Sequence, residues 1–156
     1  MIDFKRVLQI VDAFNREGVE YKLFGGIAVI LHGLPRNTED ADFFVDSSPE
    51  NVARIKRALR SIWDDPNIDE IQEDDMIGDY PSFNYNPPNE EYGIDVVSRL
   101  GAAFAYADLD WQTVEIDGTK VRIVTPQTLY EMKKDTVRSH DKQDAAKLRD
   151  KFNLQE

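Results

Sequence analysis

Apolar residues at the start of the chain recur at helical spacing. Phe4, Val7, Leu8, Val11 and Phe14 share one face, and charged residues fill the other. This predicts an amphipathic helix over residues 3–16, with Asp3 at its N-cap and Gly18 as its stop. Tyr21–Phe24 then reads as a short strand, broken by Gly25 and Gly26. Ile27–Leu31 is a short apolar helix ending near Gly33, and Pro35 prevents its continuation. Ala41–Val45 is a second strand. Ser47 or Ser48 caps the next helix, with Pro49 in its first turn and Glu50 three residues after Ser47, as in a capping box. Val52, Ile55, Leu59 and Ile62 give that helix its buried face.

The second half is less regular. Asp64–Asp75 is acidic and reads as loop or edge structure. Asp79–Asn86 alternates weakly and stops at Pro87-Pro88. Tyr92–Val97 reads as a strand carrying Asp95. Trp111–Ile116 and Lys120–Val124 flank Asp117-Gly118, a strong hairpin signal. Thr125-Pro126 opens a helix with Leu129 and Met132 on its apolar face, and a last helix runs from about Asp141 to Phe152. This order predicts an α+β fold, an α/β sandwich in which helices pack on one small mixed β-sheet. No repeat or linker interrupts it, so residues 1–156 are expected to form one domain.

Composition narrows the function. A chain of 156 residues with 41% hydrophobic content can build a single core. The formal net charge of −11 opposes diffuse binding to nucleic acid or anionic membrane. Cysteine is absent and histidine occurs twice, which excludes disulfides, thiolate chemistry and, in practice, a structural zinc site. No apolar run approaches the ~18 to 20 residues of a membrane span, and the N-terminal segment lacks a signal-peptide core. The expectation is a soluble cytoplasmic protein.

The stretch Phe24–Asp46 concentrates the candidate chemistry. Strand, Gly25-Gly26, helix places free backbone N–H groups at a helix start, where a phosphate can approach a backbone without side chains. The structural alternative is a tight turn needing positive φ. Asp40 and Asp42 stand two apart, so on a strand both carboxylates face one side and Ala41 and Phe43 the other. Adjacent carboxylates repel, and a divalent cation removes the conflict. Mg²⁺ takes hard oxygen ligands together with substrate phosphates. The alternative is an exposed acidic strand end. Asp95, between Ile94 and Val96 in an apolar strand, needs a partner. On a neighbouring strand it completes a three-carboxylate cluster suited to aligning a hydroxyl and a leaving pyrophosphate.

These residues resemble a known family. Phe24-Gly25-Gly26, then thirteen residues, then Asp40-Ala41-Asp42-Phe43 resembles the nucleotidyltransferase superfamily, whose best-known member is DNA polymerase β. Arg36-Asn37-Thr38-Glu39-Asp40-Ala41-Asp42 is similar to the Arg-x-Thr-x-Asp-x-Asp of small lincosamide-type antibiotic nucleotidyltransferases and to toxin-type enzymes of the AbiEii group. The ending resembles the family as well: a hairpin, a Pro-containing helix start, a helical lysine at Lys133 or Lys134, then Asp141 and Asp144. His140 stands where the family often has lysine.

The resemblance implies transfer of a nucleoside monophosphate from an NTP to an acceptor hydroxyl, releasing pyrophosphate. It assigns Asp40, Asp42 and Asp95 to one or two Mg²⁺ ions, with Mn²⁺ as a substitute, and leaves Asp95 as metal ligand or base. Gly25, Gly26, Arg36, Thr38, Lys133 and Lys134 are the implied nucleotide-binding residues. Arg36 has an equal alternative as a surface salt bridge to Glu39 or Asp40. The acceptor is a small molecule, a tRNA or a protein. A homodimer mate could complete the acceptor site, and a toxin or antitoxin protein is a further partner. The alternative function is a non-catalytic nucleotide-binding or toxin–antitoxin component of the same fold.

Other residues have plainer readings. His32 at a helix end reads as structural, and His140 is ambiguous. Trp63, Trp111 and Phe104 read as core. Arg54, Lys56, Arg57 and Arg60 on one helix, and the lysines and arginines of the last two helices, read as solvated faces, with an RNA path as the alternative.

Overall fold

The computed structural model describes residues 2–78 and 80–155. Helix α1 (Phe4–Glu17) starts at Asp3, whose side chain accepts from the Lys5 N–H, and stops at the left-handed Gly18. Strand β1 (Tyr21–Phe24) runs into the short helix α2 (Gly25–Leu31), and β2 (Ala41–Val45) leads into α3 (Pro49–Ile62). Ser48 caps α3 by accepting from the Asn51 N–H. The third helical position is therefore Asn51 rather than Glu50, and the capping box expected from Ser47 and Glu50 does not form.

The acidic segment after α3 folds into two 3₁₀ turns, Pro66–Glu70 and Glu73–Met76, which tuck Ile68 and Met76 into the core. Strand β3 (Ser82–Tyr85) is shorter than the expected run from 79 to 86, of which Asp79 lies outside the described residues. Strand β4 covers Ile94–Val97, while Tyr92 and Gly93 precede it as buried, non-strand residues. A two-stranded ribbon, β5 (Arg99–Leu100) with β6 (Phe104–Ala105), has no sequence signal, because its strands are too short to show alternation. The hairpin β7 (Trp111–Ile116) and β8 (Thr119–Val124) follows as expected. Then come α4 (Pro126–Lys134), capped by Thr125, and α5 (Ser139–Phe152).

The main sheet has the order β3-β4-β2-β1-β8-β7. It is mixed: β1 is antiparallel to β2 but parallel to β8, and β2 is parallel to β4. Strand alternation divides the core in two. Tyr21, Leu23, Ala41, Phe43, Ile94 and Val96 meet α1 and α3 on one face. Phe24, Phe44, Val97 and Val124 meet α4 and α5 on the other. This is the expected sandwich. Trp63 is core, 7% exposed, but Trp111 is 47% exposed. It lies on the edge strand β7, with the Arg122 guanidinium 5.5 Å from its ring centroid.

Candidate functional site

The sheet register builds the centre of the site. Phe24 pairs with Asp42 in the β1–β2 ladder, Asp42 with Asp95 in β2–β4, and Asp95 with Asn84 in β3–β4. One row across four strands thus carries two carboxylates side by side. They face the α4 side, because Ala41, Phe43, Ile94 and Val96 fill the other face. Asn84 Nδ2 donates to Asp95 Oδ1 at 2.5 Å, which steadies that carboxylate. Sequence reasoning missed Asn84, since its only signal is the weak alternation of β3.

The pKa of Asp42 is pushed up to about 7, first by burial, then by the charge of Asp95 and a hydrogen bond with it, then by Asp40; the charge of Lys133 opposes the rise. Asp40 stands just before β2. Its Oδ1 accepts from the Gly93 N–H at 2.9 Å, and Gly93 O accepts from the Ala41 N–H at 3.1 Å. The expected three-carboxylate cluster is therefore a close pair, with a third carboxylate tied to the backbone beside it. Among the described residues no group of three or more His, Cys, Asp or Glu side chains is arranged to hold a metal ion. The donor chemistry nevertheless suits a hard divalent cation: the oxygens are carboxylates, and their mutual repulsion helps to lift Asp42.

The glycines prove to be set by these side chains. Gly25 has φ +69°, and a Cβ there would collide with the Asp42 carboxylate. A Cβ on Gly26 would stand 2.8 Å from Thr38 Oγ1, whose hydroxyl donates to the Asp40 carbonyl at 3.1 Å. The turn and the aspartates are therefore one packed unit.

The cations come from the C-terminal helices. Lys133, in the last turn of α4, is 6% exposed. Its Nζ donates to Asp141 Oδ1 at 3.1 Å and to Asp144 Oδ2 at 3.0 Å, both on α5. Arg36 Nε reaches both oxygens of Asp144 at 3.1 Å, so its ion-pair partner is Asp144, not Glu39 or Asp40. Asp141 also accepts from Arg138 Nε and the Thr136 hydroxyl. Burial pushes the Asp141 carboxyl up, but these donors outweigh it and hold it below the usual range. Lys134 does not join the group; its ammonium lies 5.7 Å from the ring centroid of Tyr130. Arg138, read in the sequence as part of a solvated basic face, is brought to both clefts by the turn between α4 and α5.

Two clefts meet at the carboxylates. A polar one of about 370 Å³ is lined by Gly25, Gly26, Arg36, Thr38, Asp40 and His140, among others. A second, of about 450 Å³, is walled by Phe24, Phe83, Val97, Leu129 and Met132. Asp42, Asp95 and Lys133 line both. His32 lies elsewhere and is structural: a ring nitrogen sits 2.8 Å from the Val124 carbonyl oxygen, and burial lowers its basicity. The basic run of α3 is engaged locally. Lys56 donates to the Ile71 carbonyl, Arg57 pairs with Glu17 and Arg60 with Asp69.

Solved structures share this architecture. A candidate nucleotidyltransferase from Thermotoga maritima aligns with a TM-score of 0.62 and 20% identity, over 98% of this chain and 96% of that one. An antigenic nucleotidyltransferase-like protein from Paracoccidioides brasiliensis gives 0.55 and 15%, over 92% and 74%. ANT(2″)-Ia in complex with adenylyl-2″-tobramycin gives 0.58 and 9%, over 95% and 88%. At these identities the likeness is one of fold. Comparison with curated proteins gives no match. The family model for the nucleotidyl transferase AbiEii toxin of type IV toxin–antitoxin systems matches residues 16–150. Those residues hold every element from β1 to the carboxylates of α5, and the chain belongs to that AbiEii nucleotidyltransferase family.

Proposed function

We propose that the chain transfers a nucleoside monophosphate from an NTP to a hydroxyl of an acceptor. The observation that carries this reading is the Asp42–Asp95 pair at the junction of a polar and an apolar cleft, with Lys133 lining both. Asp42 and Asp95, with Asp40 beside them, would hold Mg²⁺, or Mn²⁺ in its place. The cation would supply charge neutralisation at the phosphates. The backbone of Gly25 and Gly26, with Thr38, Arg36 and Lys133, lines the polar cleft that would take the triphosphate. The acceptor oxygen forms a bond to the α-phosphorus, the bond to pyrophosphate breaks, and the hydroxyl proton leaves to a carboxylate. Asp95, steadied by Asn84, is placed to accept that proton or to ligate the cation. Residues 1–156 act as one nucleotidyltransferase domain in this reading.

The acceptor classes admitted are a small molecule, a tRNA and a protein, with a homodimer mate able to complete that side. Membership of a toxin family adds an antitoxin protein as the partner to seek. This reading expects a cytoplasmic protein; among the described residues no helix is long and apolar enough to cross a membrane.

Incubation with Mg²⁺, each of four labelled NTPs and a panel of RNA, protein and aminoglycoside-like acceptors tests the reading. Label should enter one acceptor class, and Asp42→Asn should lose the transfer. Wild-type transfer by that variant would remove the metal role. One observation favours a second reading, nucleotide binding without transfer: Arg36 and Lys133 are already paired with buried carboxylates. Mg²⁺-dependent NTP binding with no product across the panel would select it.

A further inference from the structure

Strand β3 lies at the edge of the sheet and brings a neutral side chain, Asn84, to the row of carboxylates. Its neighbour Tyr85 anchors the strand. Tyr85 is buried, packs edge-on against Trp63 with ring centroids 5.8 Å apart, and donates its hydroxyl to Asp65 Oδ2 at 2.7 Å. With Tyr85 fixed in the core beneath α1 and α3, strand alternation turns Asn84 to the opposite face, where Asp95 stands. Gly93 clears the space behind the amide. A Cβ there would lie 2.9 Å from Asn84 Nδ2, 3.0 Å from Asn86 Oδ1 and 3.2 Å from Asp40 Oδ1. Asn84 Nδ2 thus reaches past Gly93 and ends on Asp95 Oδ1 at 2.5 Å.

We infer that Asn84 is a positioning residue that selects the cation: by engaging Oδ1, it lets Asp95 offer one oxygen where a free carboxylate would offer two. This rests on the reading in which Asp42 and Asp95 hold a divalent cation, and adds a specificity determinant to it. Ca²⁺ takes roughly six to eight oxygens and accepts carboxylates through both oxygens at once, whereas Mg²⁺ keeps a tight octahedron and takes one or two carboxylates with its waters and phosphates. A pair in which one member presents a single oxygen therefore disfavours the larger ion. An amide suits the task because it donates without carrying charge. A lysine at this position would neutralise the pair, and an aspartate would add to its repulsion.

The test is Mn²⁺ binding to the nucleotide-free protein, followed by electron paramagnetic resonance, with Mg²⁺ and Ca²⁺ as competitors. Asn84→Ala and Asn84→Leu both remove the donor, and the leucine keeps the bulk. Asn84 is exposed on an edge strand, so both variants should fold. Each should shift the ratio of Ca²⁺ to Mg²⁺ affinity towards Ca²⁺ by about fivefold or more. Ser82→Ala, two residues away on the same face of β3, should leave that ratio within about twofold of wild type. An unchanged ratio in the Asn84 variants, with both affinities altered equally or not at all, would overturn the inference. So would recovery of the wild-type ratio by the leucine, which would make the role one of packing, or an equal shift in Ser82→Ala. Failure of the wild type to bind Mn²⁺ would overturn the cation reading itself, and the inference with it.

Discussion

At the scale of the residue, Asp42 is held in a conflict that pH exposes. The pKa of its carboxyl is raised to about 7 in the fold, against roughly 4 in an unfolded chain. Between those values the folded state binds the extra proton, so this group's contribution falls as pH rises. Its penalty is absent below about pH 4 and complete above about pH 7. In EDTA, Asp42→Asn should therefore be more stable than wild type at pH 8 by about 2 kcal/mol and nearly equal at pH 4, because each tenfold change in proton affinity corresponds to about 1.4 kcal/mol and partial exposure screens some of it. Urea melts at the two pH values check this; equal differences at both would refute the assignment. Mg²⁺ should raise the melting temperature of wild type and not of the variant, and transfer should fall about 1000-fold or more in that variant. Residue chemistry was legible where alternation decides it: Asp40 and Asp42 flank a core alanine, and Asp95 interrupts an apolar run. It was illegible where a partner lies far along the chain. Arg36 finds Asp144, 108 positions away, and nothing near Arg36 announces it.

Among the elements, two junctions carry the site. The β1–α2 turn needs glycine twice, for a left-handed φ and for clearance from Asp42. Gly25→Ala should cost about 3 kcal/mol, read from urea denaturation followed by the buried Trp63; a change below about 1 kcal/mol would mean the turn relaxes. The α4–α5 junction is held by Lys133 between Asp141 and Asp144. Lys133→Met strands two buried carboxylates with fewer donors and should destabilise by about 3 kcal/mol. The loss should shrink at low pH once Asp141, held below the usual carboxylate range, protonates. Strands β1, β2 and the β7–β8 hairpin were legible because apolar runs and Asp117-Gly118 mark them. The β5–β6 ribbon and the 3₁₀ turns were not, because two- to five-residue elements leave no period to read.

For the molecule as a whole, charge and chain order matter most. With a net charge of −11 and the α3 cations Lys56, Arg57 and Arg60 matched to acidic or carbonyl partners, the long-range field opposes an anionic nucleotide. The association rate for Mg²⁺–NTP should rise a few-fold between about 20 and 150 mM salt as that repulsion is screened; stopped-flow binding checks this, and a fall would show that local cations dominate. The sandwich class was legible from element order, but the parallel pairing of β2 with β4 was not, since 48 residues separate the two strands. That pairing has a temporal consequence. During synthesis Asp42 emerges long before Asp95 can pair beside it, and the lysine and carboxylates that close the cleft come last, at residues 133–144. A ribosome-bound fragment therefore holds the parts of the site without their arrangement. In the proposed function, a nascent chain therefore stays inactive until the helix Ser139–Phe152 docks on α4 and brings Asp141 and Asp144 to Lys133.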